Sequence, residues 1–128
     1  MPQSDGVVRN QPRRCSSLLL RVSATVRSLI PLPTLLAVDG ADRPLGLAHV
    51  LFHRSTWTQG WYCYLEDLFV DPRARGKGIG RALIEAVYAH ADARGCSRTY
   101  WMTQESNAAA RALYDKVASK SAFVQYRR

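Results

Sequence analysis

Residues 75–81 read Arg-Gly-Lys-Gly-Ile-Gly-Arg, set between the apolar stretch YLEDLFV at 64–70 and a run of helical periodicity that starts at Ile79. Glycines let the backbone approach a ligand closely, and the first amides of a helix have no partner within it. A glycine loop that opens a helix is therefore an anion cradle, and the helix dipole strengthens it. Arg75, Lys77 and Arg81 add positive charge. Two common phosphate motifs fail on spacing. A P-loop needs Lys followed by Ser or Thr, and Lys77 is followed by Gly78. A dinucleotide fingerprint needs G-x-G-x-x-G, and its last position falls on Arg81 or Leu83. What remains is R-x-x-G-x-G, suited to a pyrophosphate. The plain alternative is a glycine turn with a solvated basic rim.

Working outward, TLLAVDG (34–40) is an apolar run closed by an Asp-Gly turn, and LGLAHVLFH (45–53) is a second strand. The two predict an antiparallel hairpin. After a loop around 55–60, WYCYLEDLFV (61–70) reads as a long third strand that Asp71-Pro72 ends. Ile79, Leu83, Ala86, Val87 and His90 or Ala91 form one apolar stripe, stopped by Gly95. SRTYWMT (97–103) predicts another strand, Asn107 caps a second helix, and AFVQYR (122–127) predicts a final strand. The order β-β-β-α-β-α-β predicts an α/β (α+β) fold with a mixed sheet.

The chain has 128 residues and a formal charge of +8, one domain by length. Residues 1–33 hold five Arg against Asp5, half of that excess. They are expected to form a basic, flexible segment ahead of a folded domain at 34–128. Within them, Leu18, Val22, Val26 and Leu29 lie at helical spacing, ended by Pro31 and Pro33. A mitochondrial transit peptide is the special reading of that Arg- and Ser-rich composition, and an unstructured tail is the plain one. No apolar run is long enough to cross a bilayer. Three scattered cysteines (Cys15, Cys63, Cys96) form no disulfide framework or zinc spacing. His49 and His53 share a face but lack a third ligand, so no metal is expected. The three tryptophans are too dispersed for a nucleic-acid stacking platform. Cytoplasmic location and a homodimer are the expectations for compartment and assembly.

The chain resembles the GNAT superfamily of N-acetyltransferases. The match is R-x-x-G-x-G at 75–80 between strand 64–70 and helix 79–94, together with Asn107 followed seven residues on by Tyr114. YLEDLFV and SAFVQY are most similar to the polyamine-type and the fungal histone/D-amino-acid types. The resemblance implies acetyl-CoA as donor, with Gly76, Lys77, Gly78, Ile79, Gly80 and Arg81 on its pyrophosphate beside Arg75. It further implies the backbone of Leu68, Phe69 and Val70 along the pantetheine, Asn107 on the cofactor, and Tyr114 as the acid that protonates the leaving thiolate. The family's usual N-terminal strand and two helices are not legible in residues 1–33. A remnant that binds CoA without turnover and a basic nucleic-acid binder are the alternatives.

An amine of pKa near 10 is about one part in a thousand neutral at pH 7, a penalty of roughly 4 kcal/mol. Attack on a thioester therefore gains from a base. Glu66 and Asp67 are the acids best placed, on the strand leading to the loop. Alternation sends them to opposite faces unless a bulge intervenes. The resemblance implies Glu66 as base through a water. Asp67 is expected to attract a cationic acceptor, either a small molecule or a protein amine.

Overall fold

β3 (Pro44–Ser55) and β4 (Thr58–Val70) form a long antiparallel hairpin that organises the molecule. The pairing runs from Gly46↔Val70 to Ser55↔Thr58, with register shifts at His49/Val50 and Arg54/Ser55, so only Thr56 and Trp57 make the turn, and Ser55 Oγ accepts from the Trp57 amide at 3.2 Å. The pairing runs further than the apolar stretches alone indicate. A computed structural model describes residues 19–23 and 33–128. β1 (Leu19–Ser23) and β2 (Thr34–Val38) extend the sheet antiparallel on one side, and β5 (Cys96–Tyr100) adds in parallel on the other, in the order β1-β2-β3-β4-β5. The helices are α1 (Ile79–Ala93) and α2 (Ala108–Val117), with a single 3-10 turn at Pro72–Ala74. The expected mixed sheet is what the chain adopts, antiparallel throughout except for the β4–β5 pair and flanked by the two helices.

Alternation puts Ala48 and Val50 of β3 and Cys63 and Leu65 of β4 on one face, where they meet Ile79, Leu83, Ile84, Val87 and Ala91 of α1. The helical residues recur every three to four positions, so a single stripe is buried. Leu83, Ile84 and Val87 are fully buried, each contributing about 1.5–3 kcal/mol. α1 ends where Gly95 turns left-handed (φ 69°) and its amide donates to Asp92 O at 3.0 Å. The Tyr88 hydroxyl donates to Val117 O at 2.8 Å and ties α1 to the end of α2.

Gly46 marks the tightest approach in the sheet. A Cβ there would lie 2.7 Å from the backbone oxygen of Phe69, an atom that cannot swing away. Gly46→Ala is expected to destabilise the fold by about 2 kcal/mol. That lowers the circular-dichroism melting midpoint by roughly 5–10 °C; an unchanged midpoint would show the strand ends to be slack.

Two expectations fail. Residues 19–23 are a strand, not the start of a helix. A spacing of four is even, so it suits one face of a strand as well as of a helix, and over Leu19–Ser23 the ladder with β2 decides for the strand. The flexible basic segment expected over 1–33 lies otherwise outside the described residues. The strand expected at 122–127 does not form. Ser121 Oγ accepts from the Phe123 amide at 3.1 Å, bending the chain just past α2, and no strand pairs with the segment. Phe123, Val124 and Tyr126 stay exposed. No helix among the described residues is long and apolar enough to cross a membrane.

Candidate active site

β4 and β5 run side by side only as far as Tyr64↔Tyr100. β5 stops there, while β4 continues to Val70 with β3 as its one strand neighbour among the described residues. One edge of Leu65–Val70 therefore faces a gap. A bulge causes the parting. His49 pairs with Asp67 but Val50 pairs with Leu65, which leaves Glu66 as the extra residue. An extra residue bends its strand and sharpens its twist. The bulge also fixes the side chains that the sequence left open. Leu65 turns into the core, and Asp67 sits beside His49, carboxylate to Nδ1 at 3.1 Å. Leu68, Phe69 and Val70 follow on this edge; Leu68 and Val70 pack against the core and Phe69 is half exposed. The Arg75 Nε donates to the Val70 carbonyl at 3.1 Å, which pins Arg75 to the strand end.

The glycine loop closes one end of this gap. Gly76 and Gly78 have φ of 78° and 80°, a left-handed region that favours glycine, and open space surrounds both. Gly78 is the N-cap of α1 and offers no side chain to the helix. The amides of Ile79, Gly80 and Arg81 thus have no intrahelical acceptor. These donors, with Lys77 beside them and no carboxylate in 75–81, fit the diphosphate of a CoA donor. Arg81 is less free than the sequence suggests, because its Nε donates to Glu85 at 3.0 Å.

α2 crosses next to the loop. A Cβ on Gly80 would come 3.3 Å from Leu113 Cδ2 and 3.7 Å from Val70 Cγ2, so Gly80 lets loop, strand end and α2 meet. Tyr114 follows Leu113 and packs edge-on against Trp101, ring centroids 5.3 Å apart; Trp101 directly follows the last β5 rung. Burial pushes the Tyr114 phenol above its ordinary pKa, so it stays protonated at neutral pH. Its hydroxyl makes no hydrogen bond among the described residues, unlike that of Tyr88. Asn107 serves first as the cap of α2. Its Oδ1 accepts from the Ala110 amide at 3.3 Å, and its Nδ2 donates to Thr103 Oγ1 at 3.4 Å.

The sheet face away from α1 carries residues that sequence reading did not assign to the site. Tyr64 and Tyr100 rings lie 5.0 Å apart, and Tyr100 is 6.4 Å from Tyr62. The Tyr100 hydroxyl is hydrogen-bonded to His53 Nε2 at 2.7 Å. Burial raises the pKa of Tyr64 and Tyr100, and the nearby Glu66 carboxylate raises both further. Glu66 is the bulged residue two positions beyond Tyr64 on β4, next to Asp67 in the chain. The positions 62, 64, 98 and 100 alternate in the sequence, which was the available signal. Their juxtaposition depends on the parallel β4·β5 register.

Comparison with known proteins agrees with this geometry. Residues 20–118 match the model of the acetyltransferase (GNAT) family. The chain is 46% identical over 84 residues to a D-amino-acid N-acetyltransferase of Saccharomyces cerevisiae, covering 66% of this chain and 52% of that protein. It is 34% identical over 76 residues to a thialysine N-epsilon-acetyltransferase of Caenorhabditis elegans, covering 59% and 47%. It thus spans about half the length of these curated relatives. Among solved structures, an integron cassette protein from the mobile metagenome of V. cholerae superposes with a TM-score of 0.70 at 31% identity, over 76% of this chain and 60% of that one. The family match takes in the strand, the glycine loop and both helices described above, and the chain belongs to the acetyltransferase (GNAT) family.

Proposed function

We propose that the chain is an acetyl-CoA-dependent N-acetyltransferase acting on a primary amine by direct attack. The observation that carries this reading is the parting of β4 and β5 beside a left-handed glycine loop, with Tyr114, whose hydroxyl has no hydrogen bond among the described residues, on the helix next to it. The family match and the relatives named for D-amino-acid and thialysine acetylation support it.

In this reading the amides from Gly76 to Arg81 hold the diphosphate of the donor, and Asn107 borders it. The free edge of Leu68, Phe69 and Val70 pairs with the pantetheine as an added strand would. The acceptor arrives as an ammonium drawn to Asp67 and Glu66. Glu66 accepts one proton through a water, freeing the nitrogen lone pair. The nitrogen bonds to the thioester carbonyl carbon and the C–S bond breaks. The Tyr114 hydroxyl supplies the proton that the departing thiolate takes up, and the second proton, which the acetylated nitrogen sheds as the neutral amide forms, passes through solvent and restores the phenol.

Isothermal titration with acetyl-CoA tests the donor half of this scheme. One site per chain is expected; absence of binding at millimolar ligand would overturn it. Glu66→Gln tests the acceptor half. It keeps the size of the side chain and removes the proton acceptor, so kcat is expected to fall by about ten- to a hundredfold in steady-state assays of CoA release. Unchanged turnover would remove Glu66 from the scheme.

A further inference from the structure

The row of side chains that leads away from the gap on the face opposite α1 ends in a positive charge. Arg98 lies two residues before Tyr100 on β5, opposite Tyr62. Its guanidinium carbon sits 4.6 Å from the Tyr62 ring centroid, and it makes no ion pair among the described residues. From Arg98 the rings of Tyr62, Tyr100 and Tyr64 follow one another along the sheet, and Glu66 stands at the bulge two residues beyond Tyr64. His53, bonded to the Tyr100 hydroxyl and edge-on to the rings of both Tyr62 and Tyr100, holds this floor in place. One end of the row is therefore anionic, the middle apolar and aromatic, and the other end cationic.

We infer that the acceptor carries an anionic group, such as a carboxylate, several bonds from its reacting amine. Arg98 takes the anion, and Glu66 and Asp67 take the amine. This rests on the transferase reading above and narrows it to amino-acid-like acceptors. Two residues along a strand span about 6.6 Å, and Glu66 lies a further step beyond Tyr64. An amine and a carboxylate on the same carbon are too close to reach both ends, whereas an ω-amino acid spans them. A diamine would set its second ammonium against Arg98 and is disfavoured, although YLEDLFV resembles the polyamine-type enzymes. Both charges are felt at the Tyr100 hydroxyl, which Arg98 favours in its ionised form and Glu66 disfavours.

The test compares 6-aminohexanoate, hexylamine and 1,6-diaminohexane as acceptors at saturating acetyl-CoA. Expected is a kcat/KM for 6-aminohexanoate about tenfold above that for 1,6-diaminohexane, with hexylamine between them. In Arg98→Leu the ratio of 6-aminohexanoate to hexylamine should fall about tenfold, through KM rather than kcat, and Arg98→Lys should restore part of it. A preference for the diamine, or a ratio that Arg98→Leu leaves unmoved, would overturn the inference. Acetyl-CoA binding with no turnover of any of the three also overturns it while the donor site stands. Failure to bind acetyl-CoA overturns the transferase reading itself.

Discussion

Gly78→Asp is expected to weaken acetyl-CoA binding by about a hundredfold or more while leaving the fold in place. Gly78 caps α1 in the left-handed region with open space where a Cβ would go. Aspartate is among the few residues that tolerate that backbone, at a strain of roughly 1 kcal/mol, and it is a favourable helix N-cap. Stability should therefore change little. Binding should not survive, because the new carboxylate would stand where the proposed mechanism places the diphosphate. Two unit charges 5 Å apart repel by about 3 kcal/mol at an effective dielectric of 20, which is on the order of two powers of ten in affinity. Gly78→Asn separates the causes, since it carries the same strain without the charge, and its loss should be about tenfold or less. Titration calorimetry reads both variants. Equal, small losses would mean that the loop does not hold an anion.

Tyr114→Phe carries the second large effect. The ring keeps its packing against Trp101, and the hydroxyl it loses has no partner among the described residues, so stability should hold. Removing a proton donor to a leaving group typically forfeits about 10²–10⁴ in rate, and a kcat lower by about a hundredfold is expected here. Acetyl-CoA affinity should stay within about twofold, because the proposed mechanism uses the phenol only in the chemical step. The pH profile gives a second readout. Burial raises the pKa of the phenol above its ordinary value, and in the proposed mechanism the protonated form is the active one. Activity in the unaltered protein should therefore persist to a pH above the ordinary tyrosine value and fall beyond it. In Tyr114→Phe that alkaline fall should vanish. A variant with near-normal kcat would assign the proton to another donor.

The parts of the site governed by local chemistry were legible in the sequence. The glycines at 76, 78 and 80, the stripe from Ile79 to Ala91 and the Asn107 cap each follow from short-range backbone requirements, and the structure places them as expected. Pairing between distant segments was not legible. Glu66 and Asp67 remained ambiguous because a bulge depends on how β3 matches β4, and its extra residue is visible only in the register. Tyr100 passed as one more strand residue, although it forms the last rung before the gap and is held by His53, 47 positions away. The errors at the two ends share one cause. Leu19–Ser23 found a strand partner that helical spacing did not suggest, and 122–127 found none although its alternation invited one. Alternation describes a face, and a neighbouring backbone makes the strand.

The most direct measurement is release of free CoA from acetyl-CoA by the purified chain with a primary amine, alongside mass spectrometry of the amine. Stoichiometric CoA and N-acetylated amine, lost together in Gly78→Asp and Tyr114→Phe, is the predicted result. CoA release at the uncatalysed rate across amino-acid, diamine and simple alkylamine acceptors, from a chain that binds acetyl-CoA, would contradict it.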